Sequence, residues 1–123
     1  MRLLLIDDQS EDARDVASAL RQRGWIVTIV ASARAAFDAI PDVQPDAIIT
    51  ELVLPDAHGL HVARALRSLI ERDIVIVALS RIADQLGERA LASGYDHVVR
   101  KPAHVDALHA RLATLLPRRA LTA

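Results

Sequence analysis

IVIVAL, Ile74 to Leu79, is apolar at every position. A strand with one wet face alternates apolar and polar residues, so an unbroken run of this length reads as a strand covered on both faces. RLLLI (Arg2–Ile6) repeats the pattern at the start of the chain, and WIVTIV, AIIT and HVVR (25–30, 47–50 and 97–100) are further runs of strand length. Strands covered on both faces belong to parallel sheets, and parallel neighbours need right-handed crossovers, usually helical. The intervening segments must therefore be helices.

They have the required patterns. Ser10 to Arg23 carries Ala13, Val16, Ala17 and Leu20 at helical spacing, with Glu11 and Asp12 in the first turn and Arg21 and Arg23 in the last. That charge order suits the helix dipole, and Gly24 suits a left-handed cap. A short helix from Ser32 or Ala33 to Ile40 is closed by Pro41. Gly59 to Arg72 offers Leu60, Val62, Ala63, Leu66 and Ile70 to the inside. Ala83 to Ser93 is weakened by Gly87, at about 1 kcal/mol against alanine, and is ended by Gly94. His104 to Leu116 is the last helix. Residues 1–116 thus form one domain, and 117–123 a polar C-terminal tail.

Composition narrows the function classes. The 123 residues have no cysteine, so disulfides and thiolate chemistry are excluded. A formal net charge of −1 gives no nucleic-acid footprint and predicts no direct nucleic-acid contact. No run approaches the roughly 20 apolar residues of a membrane helix, and MRLLLIDDQ is too short for a signal peptide, so a cytoplasmic location is expected. No glycine-rich phosphate loop is present. His58, His61, His104 and His109 lack zinc-site spacing and read as ordinary surface or half-buried histidines.

In open parallel sheets, ligands bind beyond the carboxyl ends of the strands. There the chain places Asp7 and Asp8 after the first strand, Glu51 after the third, Ser80 after the fourth, and Lys101 with Pro102 after the fifth. The second strand brings only Ala31 and Ser32, which puts it away from the centre. Asp8 could alternatively cap the first helix.

These residues, with the segment ELVLPDAHG, resemble the receiver domain of bacterial two-component response regulators over about Arg2 to Leu116. The resemblance implies a flavodoxin-like, doubly wound (βα)5 sandwich with five parallel strands in the order 2-1-3-4-5. It implies a signalling module, not an enzyme. In the family, paired acids, the central aspartate and a backbone carbonyl hold magnesium, while the aspartate takes a phosphoryl group from a histidine kinase. Carried onto this chain, Asp7 and Asp8 match the metal-side acids, Glu51 the phosphoacceptor position, and Val53 the carbonyl ligand. Ser80 matches the switch hydroxyl and Lys101 the phosphate-contacting lysine, with Lys101–Pro102 a candidate cis bond. Magnesium, a histidine kinase or other signalling partner, and a homodimer through the fourth helix, fifth strand and fifth helix are implied in the same way.

Three departures stand out. Glu51 replaces aspartate, and its extra methylene moves the carboxylate about 1.5 Å outward, a displacement that can cost about 100-fold in rate. Val98 stands where the family has a switching aromatic, with Tyr95 and His97 off that register. Arg81 follows the switch hydroxyl and could gate the pocket or pair with Glu51, Asp7 or Asp8. Three readings of Glu51 stay open: a standing substitute for phospho-aspartate that reaches Lys101 or Ser80, a site where phosphorylation is lost and Glu51–Lys101 is a plain salt bridge, or a position changed from its natural residue. A fourth course keeps phosphotransfer, with Glu51 accepting the phosphoryl group in the presence of magnesium. A flavin carrier is disfavoured by the absent phosphate cradle.

Overall fold

The computed structural model describes residues 1–8 and 10–122, with side chains described through Leu116. Five strands, β1 (Arg2–Ile6), β2 (Ile26–Val30), β3 (Ala47–Thr50), β4 (Val75–Ser80) and β5 (His97–Arg100), alternate with α1 (Glu11–Gln22), α2 (Ala33–Val43), α3 (Gly59–Leu69), α4 (Ala83–Ala92) and α5 (Val105–Thr122). The strands form one parallel sheet in the order β2-β1-β3-β4-β5. This is the flavodoxin-like arrangement that the sequence led us to expect.

Two-sided burial explains the apolar runs. Leu3 and Leu5 of β1, Ile49 of β3 and Val75, Val77 and Leu79 of β4 face Ala13, Val16, Ala17 and Leu20 of α1 and Leu108 and Leu112 of α5. The alternate residues Leu4, Ile6, Ile48, Ile76 and Ala78 face Ala36 of α2 and Leu60, Val62, Ala63 and Leu66 of α3. Every residue of β4 is buried, whereas the edge strands β2 and β5 are half-covered. The strand order reverses between β1 and β3, so the loops that follow these two strands open the crevice of the sheet.

Several boundaries differ from those expected. Ser10, not Asp8, caps α1, its hydroxyl accepting from Ala13 N at 3.1 Å. Trp25 and Ile74 are buried just outside their strands. α2 runs through Pro41 to Val43 and ends at Gln44 in a left-handed conformation (φ 47°). The proline removes one backbone donor, and the turn continues for two more residues. α3 stops at Leu69, short of Arg72, where the extended Ile70 ends it. α5 begins after His104, whose Nδ1 accepts from Ala107 N at 3.3 Å, and its backbone stays helical to Thr122. The segment assigned as a tail is therefore helical as far as 122; its side chains and Ala123 lie outside the described residues. Gly24 and Gly94 have positive φ (92° and 105°), as helix-ending glycines should.

Candidate functional site

The crevice is organised around a buried ammonium. Lys101 leaves the end of β5 through a cis Lys101–Pro102 bond, and its Nζ lies 2.6 Å from Asp7 Oδ2, 2.8 Å from Glu51 Oε2 and 3.1 Å from Ser10 Oγ. Its side chain is 4% exposed, that of Asp7 3% and that of Glu51 11%, so this is an interior charge cluster, in which partners matter far more than at a surface. Burial alone would lower the lysine pKa. The hydrogen bonds and charges of Asp7 and Glu51 outweigh it and hold the ammonium above its ordinary value.

The second oxygen of each acid is also taken. Asp7 Oδ1 accepts from Ser10 N at 3.1 Å. Glu51 Oε1 accepts from Leu52 N at 2.8 Å and Val53 N at 3.2 Å, so the extra methylene lets the side chain fold back onto its own loop while its other oxygen meets Lys101. Among the described residues no buried side-chain nitrogen or oxygen lacks a partner.

The other sequence-singled residues are placed differently. Ser80 is buried, but its hydroxyl accepts from Ile82 N at 3.3 Å and meets neither Glu51 nor Lys101. Arg81 pairs with Asp12 at 2.8 Å, not with Glu51, Asp7 or Asp8, and this exposed pair joins the start of α1 to the loop after β4 at the pocket rim. Arg81 lines the pocket beside Asp7, Asp8 and Glu51, and its guanidinium is taken by Asp12 on the first turn of the facing helix. Asp8 is exposed and makes no ion pair or hydrogen bond among the described residues. Val53 is 59% exposed. Val98 is half-buried against the core cluster beside α4.

Sequence reasoning missed three contributors. Ser10 read only as a helix start, yet its hydroxyl also accepts from Lys101; its spacing from Asp7 was the available signal. Gly59 read only as a helix start too. A Cβ there would lie 2.4 Å from Leu52 Cα, so only glycine lets α3 begin against the Glu51 loop, where Gly59 N donates to Leu52 O at 2.8 Å. Tyr95 is buried, and its hydroxyl donates to Gly59 O at 2.6 Å. Burial, reinforced by the Glu51 charge, pushes its phenol pKa well up.

Receiver domains generally bind magnesium at the phosphorylation site. The donor set here does not fit that ion. Magnesium needs several oxygens at about 2.0–2.1 Å around one point. Asp7 and Glu51 are instead bound on both oxygens by N–H donors, and the Lys101 ammonium lies between them; Asp8 lines the same pocket but is exposed. Among the described residues no group of three or more His, Cys, Asp or Glu is arranged to hold a metal. The described residues also contain no helix long and apolar enough to cross a membrane.

Comparison with known proteins gives this geometry a family. The model of the response regulator receiver domain matches residues 3–113. The chain is 34% identical over 122 residues to the probable transcriptional regulatory protein TcrX of Mycobacterium tuberculosis, covering 98% of this chain and 51% of the relative. It is 32% identical over 120 residues to response regulator MprA of Mycobacterium avium, covering 96% and 52%. The chain thus spans about half the length of these curated relatives. Among solved structures it is similar to a CheY-like receiver domain from Methylobacillus flagellatus (TM-score 0.82, 28% identity, 93% and 97% of the two chains). It is also similar to a two-component response regulator from Clostridium difficile (TM-score 0.87, 25% identity, 98% of each). The chain belongs to the response regulator receiver domain family of two-component signalling.

Proposed function

We propose that this receiver domain works without phosphoryl uptake, its pocket being closed by the Glu51–Lys101–Asp7 cluster, and that it signals by protein–protein contact. One observation carries the reading: Lys101 Nζ is bound to both carboxylates at 2.6 and 2.8 Å while Leu52 N and Val53 N hold the remaining oxygen of Glu51. The cationic and amide donors that could receive a phosphoryl group are already engaged by the glutamate. Glu51 acts in part as a standing substitute for a phosphorylated aspartate: its carboxylate engages Lys101, but the Ser80 hydroxyl does not follow.

The contact surface on this reading is the face made by α4, β5 and α5. There Leu91 is 51% exposed, and Arg100 and Asp84 form an exposed pair at 3.2 Å. The partner is a histidine kinase, another signalling protein or a second copy of the chain. The relatives named as transcriptional regulators are about twice as long as this chain, and a DNA-directed output belongs to this proposal only through them.

Intact-mass measurement after incubation with acetyl phosphate and magnesium tests the reading. The expected result is no gain of a phosphoryl mass by the natural chain. A gain that disappears in Glu51→Gln would replace this reading with the one in which glutamate is a working acceptor.

A further inference from the structure

Helix α4 carries its charges in two separate groups. On the side toward β5, Asp84 and Glu88 line a groove with His97, Val98 and Arg100. On the side toward α3, a second groove of about 230 Å3 is lined by His58, Leu60, His61 and Arg64 from the start of α3 and by Arg89 and Ser93 from the end of α4. No carboxylate lines this second groove. Arg23, Arg34, Arg67, Arg81 and Arg100 each pair with an aspartate, whereas neither Arg64 nor Arg89 forms an ion pair among the described residues. In a chain with a formal net charge of −1, two guanidiniums without a carboxylate partner, facing one cleft, are a local excess of positive charge.

The histidines add donors. His58 Nδ1 accepts from Leu60 N at 3.2 Å, which leaves its ring proton on Nε2, and the His58 and His61 rings meet edge-on with centroids 6.1 Å apart. The amides of Gly59, Leu60 and His61 already donate to Leu52 O, His58 Nδ1 and His58 O. A ligand would therefore be held by side chains, not by the helix start. Arg64 spends one N–H on Ala92 O at 3.3 Å and keeps the rest of its fork.

We propose that the cleft between α3 and α4 is an anion site that takes the phosphate group of a small molecule, through Arg64, Arg89, His58, His61 and the Ser93 hydroxyl. The groove is smaller than the roughly 300–1,000 Å3 usual for drug-sized ligands, which suits one phosphate group with little else enclosed. Guanidinium forks match phosphate oxygens in geometry as well as charge. The site is separate from the Lys101 pocket, which opens between β1, β3 and β4 and shares no lining residue with it.

NMR titration of the whole chain with inorganic phosphate, and separately with adenosine monophosphate, at constant ionic strength tests this. The expected result is saturable shifts at His58, His61 and Ser93, weakened about tenfold or more in the exposed-site variant Arg64→Gln/Arg89→Gln. Arg34→Gln, which removes a positive charge elsewhere, should leave them unchanged. Tighter binding of the nucleotide than of phosphate would identify a nucleotide as the source of the group; equal binding would identify free phosphate. Non-saturable shifts, equal weakening by Arg34→Gln, or shifts centred on Ser80 and Lys101 would overturn the proposal.

Discussion

The two halves of the pocket are held by different chemistry. On the β1 and β3 side, Asp7, Ser10, Glu51 and Lys101 form one buried network, every member touching Lys101. On the β4 side, Ser80 bonds within its own loop, and Arg81 ties outward to Asp12. Tyr95, the aromatic of this region, is spent on the Gly59 carbonyl. The charged half is closed upon itself. Among the described residues, no side chain to side chain bond joins the Ser80 hydroxyl or the Tyr95 ring to it. Two links involve the backbone: Lys101 N donates to Ser80 O at 3.1 Å, and a longer path runs from Glu51 to Leu52 N, Leu52 O to Gly59 N, and Gly59 O to Tyr95. A state set by charge pairing on one side can thus reach Tyr95 through the start of α3 and Ser80 through the Lys101 backbone.

The largest expected effect comes from breaking the charged half. Lys101→Met leaves Asp7 and Glu51 in the interior without their cation and should cost about 3–5 kcal/mol in denaturant unfolding. Adding Glu51→Gln to it removes one of the two stranded charges and should recover part of the loss. Equal stability of the single and double variants would show that Glu51 is not coupled to Lys101.

Gly59→Ala attacks the longer backbone link. Its Cβ would meet the Leu52 Cα, carbonyl carbon and oxygen at 2.4–2.7 Å, all backbone atoms that cannot rotate away. We expect a loss of about 1–3 kcal/mol, with shifts in the amide resonances of both Glu51 and Tyr95. Shifts confined to α3 would mean that the two halves are joined by some other route.

How far these features could be read in advance depended on distance along the chain. RLLLI and IVIVAL declare two-sided burial by residue type alone, so the sheet and its helical layers were legible. Parallel strands also bring their carboxyl ends to one edge, so Asp7, Glu51, Ser80 and Lys101 could be assigned to one crevice. Side-chain partners were another matter. Lys101 with Ser10, Arg81 with Asp12 and Tyr95 with Gly59 are separated by 91, 69 and 36 residues, and no periodicity encodes them. Arg81 looked equally able to pair with any acid nearby, and only the path of α1 decides for Asp12. Local exceptions were hidden for a different reason. Pro41 looks like a helix end, yet α2 continues through it because the lost donor falls in the last turn.

Tyr95→Phe isolates the far end of the longer backbone link. It removes the donor at 2.6 Å from Gly59 O and leaves that buried carbonyl short of a partner, a loss of about 1–2 kcal/mol near neutral pH. The pH profile separates this bond from simple packing. The folded-state phenol pKa lies above its ordinary 10.0, from burial first and the Glu51 charge second. A raised value means that the stabilisation is complete below 10.0 and is lost as pH climbs toward the folded value, because the unfolded chain gives up its proton first. Lys101, raised above 10.5, slopes the same way. The natural chain should therefore lose stability in strong alkali more steeply than Tyr95→Phe, which retains only the lysine contribution. Identical alkaline slopes would mean that the Tyr95 hydroxyl ionises as readily in the folded chain as in the unfolded one, and that the bond to Gly59 does not hold the α3 start against the pocket.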